Sequence, residues 1–173
     1  GSGADTGYGV AFYNNNVYIT GVFEGGADFG TTNLTSTGGD DLFVASLASA
    51  SGSFSWAVRG GGTSDEFGAD IAVDATGVYI AGVFQGSATF GSINLTAAGG
   101  NDILVTKLNA SGTFQWAKAY GGAGHDFGLG IALSADGSPH ITGAFSGTLT
   151  LDSLNATSKG ASDIFAAKLD VNG

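Results

Sequence analysis

A chain of 173 residues is long enough for one domain with a substantial core, and 43% hydrophobic against 12% charged residues excludes a disordered acidic tail. Fifteen acidic residues against five basic ones give a net charge of -10, which repels phosphate backbones and excludes nucleic acid as an expected partner. No cysteine is present, so disulfides, zinc–thiolate sites and cysteine nucleophiles are excluded, and no apolar run approaches the roughly 18 residues of a membrane helix.

In chain order, the first run is residues 8–13 (YGVAFY), answered later by residues 69–74 (ADIAVD) and 129–134 (LGIALS). Each ends in a turn signal: Asn14-Asn15-Asn16, Ala75-Thr76-Gly77 and Ala135-Asp136-Gly137. A second run follows at once, VYITGVF from Val17, VYIAGVF from Val78 and HITGAF from His140. Two short apolar runs joined by such residues predict an antiparallel hairpin. A longer connection comes next, FGTTNLT from Phe29, FGSINLT from Phe90 and a looser LTLDSLNAT from Leu149. The third run is LFVASL from Leu42, ILVTKL from Ile103 and IFAAKL from Ile164; the fourth is FSWAVR from Phe54 and FQWAKAY from Phe114.

Asp41, Asp102 and Asp163 recur at spacings of 61, and Trp56 and Trp116 at 60. Residues 38–68 are thus rewritten as residues 99–128 and begun a third time at residue 159. No stretch has helical periodicity over ten residues, so the chain is expected to be all-β. Four strands per repeat of about 60 residues is the pattern of β-propeller-type blades of four antiparallel strands. The expected architecture is a single propeller segment of three repeats, with blades at residues 1–61, 62–121 and 122–173, the last lacking its outer strand. Methionine is absent even at position 1, and the chain is expected to be a processed protein or a piece of a longer one.

The order GG-x-x-x-D/E-x-G-x-x-IA-x-D, VYI-T/A-G, GG-x-D-x-x-V-x-K-L, G-x-F-x-W-A resembles the bacterial β-propeller repeat called the SBBP repeat, most closely over residues 61–82 and 99–143. Ser46 departs from it where the other copies have Lys107 and Lys168, as does Pro139-His140 where Val78-Tyr79 stood. The resemblance implies a large exported or surface-attached bacterial protein without a common assigned activity.

Candidate chemistry lies in the connections. In this topology two sets emerge on one face: Asp5, Asp65, Glu66, His125 and Asp126 in the first, Asp40, Asp41, Asp102 and Asp163 in the second. Asp5, Glu66, Asp126, Asp41, Asp102 and Asp163 could hold Ca²⁺ or another hard cation, or accept hydrogen bonds from turn N–H groups. The second role repeats simply because the turn repeats, and no compact D-x-D-x-D-G loop exists. His125 and His140 are the only histidines and fall in different contexts. Trp56 and Trp116 suit sugar stacking or packing between blades, and Tyr13, Asn14 and Asn15 are exposed-loop candidates for ligand contact. Asn33, Asn94 and Asn155 each begin Asn-x-Thr, a glycosylation acceptor or a turn residue of the connection. With no Gly-x-Ser-x-Gly elbow and no singled-out carboxylate pair, an enzyme is not expected. The expected function is a non-enzymatic extracellular or cell-surface propeller scaffold for protein interaction or display. Alternatives are a carbohydrate-binding, lectin-like propeller and a structural subunit that assembles a propeller or fibre from several chains. Expected partners are a protein or glycan at the cell surface, a second copy of the chain, or further blades of a longer one, without membrane insertion.

Overall fold

A computed structural model describes residues 1–173, and every regular element in it is a strand. β1 (Asp5–Tyr13) and β2 (Asn16–Phe23) pair antiparallel, from Asp5↔Phe23 to Tyr13↔Asn16. Their link is Asn14-Asn15, with φ of 46° and 60°. Positive φ at both central residues defines the type I′ turn, whose twist matches the strands it joins, and asparagine tolerates it. β7 (Glu66–Asp74) with the first part of β8 (Gly77–Phe90), and β11 (Asp126–Leu133) with β12 (Pro139–Phe145), form the corresponding hairpins. In all three the register slips at one place, after Gly7, Gly68 and Gly128. Such a bulge bends the strand and increases its twist.

The third run pairs back on the second: β5 (Asp41–Ala48) on β2, β9 (Ile93–Leu108) on β8 and β15 (Asp163–Lys168) on β12. β6 (Phe54–Gly62) then closes on β5, and β10 (Phe114–Tyr120) on β9. The Phe-Gly…Asn-Leu-Thr stretch, expected as a connection, is itself a hairpin. β3 (Gly26–Phe29) pairs with β4 (Thr32–Thr35), and β13 (Thr148–Leu151) with β14 (Leu154–Thr157), as two separate two-stranded sheets. In the middle of the chain the same hairpin is continuous with β8 and β9, which reach 14 and 16 residues.

The tip of that long hairpin corrects the propeller expectation. It reaches back to β6, where Gly60, Gly61 and Gly62 pair with Phe90, Thr89 and Ala88. The first two repeats therefore do not stand as separate four-stranded blades radiating from an axis. They share one curled eight-stranded sheet, ordered β1-β2-β5-β6-β8-β9-β10 with β7 on β8, beside a three-stranded sheet β11-β12-β15. The physical reason is the glycine triplet. A Cβ on Gly62 would fall on the Ser87 carbonyl oxygen, so only a side chain of hydrogen lets β8 come within pairing distance there.

The curl lays β7 on β1, β2 and β5, and the next sheet lays β11 on β7, β8 and β9. The core follows these two junctions. At the first, Tyr18, Leu42 and Val44 pack with Ile71, Ile80 and Phe84; at the second, Tyr79, Ile103 and Val105 pack with Ile131, Ile141 and Phe165. Each such side chain contributes about 1.5–3 kcal/mol by leaving water. A smaller cluster around Phe23, Phe29 and Phe43 seats the β3–β4 hairpin.

Candidate functional site

The six acidic candidates share one local geometry. Asp41, Asp102 and Asp163 each accept a hydrogen bond from the backbone N–H four residues earlier, Thr37 at 3.1 Å, Ala98 at 2.9 Å and Lys159 at 2.8 Å. Glu66 and Asp126 do the same with Gly62 at 2.6 Å and Gly122 at 2.8 Å. Asp5 completes the series with the amino terminus of Gly1, at 2.9 Å. Each carboxyl therefore closes its own loop, as short acidic side chains do at turns.

Their surroundings are not alike. Asp41, Glu66, Asp102 and Asp126 are fully buried, whereas Asp5 and Asp163 are not. In each buried carboxyl one oxygen (Oδ1 of Asp41, Asp102 and Asp126, Oε1 of Glu66) has no hydrogen-bond partner. Burial is the largest influence on all four and raises their pKa values, since the charged form loses water. Glu66 is pushed up to about 7, against the pull of the Gly62 N–H and with a further push from the Asp41 charge. Asp41 is relieved by Arg59, whose guanidinium donates to Oδ2 at 2.7 Å. Asp102 has no such partner; at the position matching Arg59 the middle repeat carries Ala119. Nowhere do three carboxylate or histidine side chains meet in a way that could hold a metal ion.

The remaining candidates also resolve into local roles. His125 receives the Asn101 N–H on Nδ1 at 3.3 Å and stacks on Phe127, while His140 lies at the far end of the β11–β12 hairpin, opposite Ala132. The two histidines are not brought together. Trp56 lies against Tyr18 with ring centres 6.2 Å apart and donates its indole N–H to the Ala110 carbonyl at 3.0 Å. Trp116 lies against Tyr79 at the same distance. Both rings are half-buried between strands rather than laid open as stacking platforms. Asn33, Asn94 and Asn155 sit in β4, β9 and β14, where Asn94 and Asn155 each accept a cross-strand threonine hydroxyl at 2.8 Å. Tyr13 and Asn14 line a shallow recess with Tyr18, Val73 and Ala110.

The largest concavity was not among the sequence candidates. It is a cleft of about 710 Å³ between the β13–β14 hairpin and β15, lined mainly by apolar side chains including Leu149, Leu151, Leu154, Ile164 and Phe165. Ile164 is 88% exposed and Leu154 70%. β15 ends its sheet, so its outer edge carries no pairing strand, whereas β5 and β9 are paired there by β6 and β10. In the middle repeat the matching space is occupied: Phe90, Ile93 and Leu95 pack in one cluster with Phe114 and Ala117 of β10. The cleft is thus shaped for a strand bearing large side chains on one face. Aligning the repeats and asking which apolar positions lose their fourth-strand cover would have found it.

Fold and site together define an all-β repeat protein with an open sheet edge beside an apolar cleft. No family model matches the chain, and no curated protein matches it. The resemblance to the SBBP repeat is therefore withdrawn: neither the comparisons nor the sheet topology supports it. The scaffold, lectin-like and blade-assembly readings all presupposed that architecture and fall with it.

Proposed function

We propose that the protein is a non-catalytic polypeptide-binding module that takes an extended segment along the free edge of β15. The cleft between β15 and the β13–β14 hairpin carries this reading. Strand addition uses main-chain hydrogen bonds for affinity and pockets for alternate side chains for selectivity, and both parts are in place here. The segment that fits has aromatic residues two apart followed by small ones, the pattern of Phe114, Trp116, Ala117 and Ala119 in β10. Absence of catalysis is part of the proposal, supported by the engagement of every candidate carboxylate with its own loop N–H. An extracellular or cell-surface setting belongs to the proposal as well.

The test uses a dye-labelled peptide with the sequence of β10, titrated with the whole chain and followed by fluorescence anisotropy. Saturable binding is expected, lost with a scrambled peptide and weakened at least about tenfold by Leu154→Asp, which places a charge in the cleft. Equal binding of the native-order and scrambled peptides, or none of either at millimolar chain, contradicts the proposal.

A further inference from the structure

The two ends of the strand array expose complementary surfaces, and we infer that a second copy of this chain docks on them head to tail, the β1 face of one copy against the β12–β15 face of the other. This surface adjoins the cleft described above and shares Ile164 and Ala166 with its lining, whereas Phe12 and His140 lie outside that cleft.

The observation is an internal comparison. Val10 of β1 corresponds to Ile71 of β7 and Ile131 of β11, and Phe12 to Val73 and Leu133. Ile71 and Ile131 are buried because a preceding group of strands covers them: Ile71 packs with Tyr18, Leu42 and Val44, and Ile131 with Tyr79, Ile103 and Val105. Val73 and Leu133 pack against the same two clusters. Val10 and Phe12 have the same pleat and no cover, at 69% and 65% exposure. Gly7 tells the same story from the backbone. A Cβ on Gly68 would meet the side chain of Thr20, and one on Gly128 would meet Gly82 and Ile103, whereas one on Gly7 meets nothing.

The covering surface recurs, uncovered, at the other end. Tyr79, Ala81, Ile103 and Val105 cover β11 and are fully buried; their counterparts are His140, Thr142, Ile164 and Ala166, all exposed. Of these, His140, Thr142 and Ala166 frame a recess of about 290 Å³ together with Ile131 and Ala132. Size is compensated across the pair of surfaces. Val73 borders the same recess as Tyr18, so by the repeat Phe12 would lie by His140, a larger side chain against a smaller one. The partner is a second copy because both halves of the junction are already built twice within this chain, so one chain carries both complementary surfaces. Such an interface is heterologous, using different patches on the two copies.

Sedimentation velocity on the whole chain over a range of concentration tests this, with Phe12→Asp and His140→Asp as variants. Both positions are exposed within one copy, and neither lines the cleft. The unaltered chain is expected to show concentration-dependent association, and each variant to raise the dissociation constant at least about 30-fold, as burying a charge at the centre of an interface does. Mixing the two variants is the decisive arm. One copy then offers an intact β12–β15 face and the other an intact β1 face, so dimers and nothing larger are expected. A monomer at every concentration overturns the inference, as does association that survives both substitutions or that mixing fails to restore. Leu154→Asp should leave self-association intact and His140→Asp should leave peptide binding intact, so the two proposals fail separately.

Discussion

Replacing Glu66 by glutamine is expected to flatten the pH dependence of stability between pH 5 and pH 8. Glu66 is fully buried, with Oε2 held by the Gly62 N–H at 2.6 Å and Oε1 unpartnered. Burial moves its pKa from 4.5 to about 7, and the neighbouring charge of Asp41 adds to the push. The folded state thus prefers the protonated carboxyl. Below pH 4.5 the group is neutral in both states and costs nothing extra. As pH rises toward 7 the unfolded chain ionises first and gains relative to the fold, so stability falls. One pKa unit corresponds to about 1.4 kcal/mol, which makes the full loss about 3 kcal/mol, complete slightly above pH 7. Glutamine keeps an oxygen for the Gly62 N–H and cannot ionise. Urea unfolding of both proteins at pH 5, 6, 7 and 8 measures the difference. The parent is expected to lose about 2.5 kcal/mol more than the variant across this window, and any slope the variant keeps has the same sign, because burial also raises Asp41, Asp102 and Asp126. A parent whose stability is flat or rises with pH, or a variant that keeps the parent's slope, refutes the reasoning.

Arg59→Met leaves Asp41 buried without its cation; because the guanidinium is partly exposed, the loss is expected at about 2 kcal/mol by urea unfolding, and Asp41→Asn in the same chain should recover most of it. Gly82→Ala places a Cβ on the Phe67 carbonyl oxygen between paired strands, and should cost about 3 kcal/mol, whereas Gly7→Ala meets nothing and should stay within about 0.5 in dilute solution. Asn14→Val forces a β-branched residue into positive φ in the first hairpin, and should lower stability by about 1–2 kcal/mol and the melting temperature with it.

The strand runs were legible because their chemistry is local. VYITGVF lies within β2 and ILVTKL within β9, and Asn14-Asn15 makes the turn its composition predicts. The short hairpins were not legible: β4 and β14 have four residues each, too few for alternation to separate a strand from a connection. Pairing of β6 with β8 runs through Gly60–Gly62, where no side chain exists to announce a partner. The acidic residues were legible as acceptors of turn N–H groups, but their burial was not. Nothing in the letters distinguishes a solvated aspartate from Asp126, which turns inward onto the Gly122 N–H. Val10 and Ile71 read alike for the same reason: their pattern encodes a face, and only the fold decides what covers it.

Backbone hydrogen exchange across Asp163–Lys168, with and without a saturating peptide of the β10 sequence, tests the polypeptide-binding claim most directly. Strand addition predicts that alternate amides of β15, those facing its open edge, slow by at least about tenfold while β1 is unchanged. Exchange in β15 that is indifferent to the peptide contradicts the account.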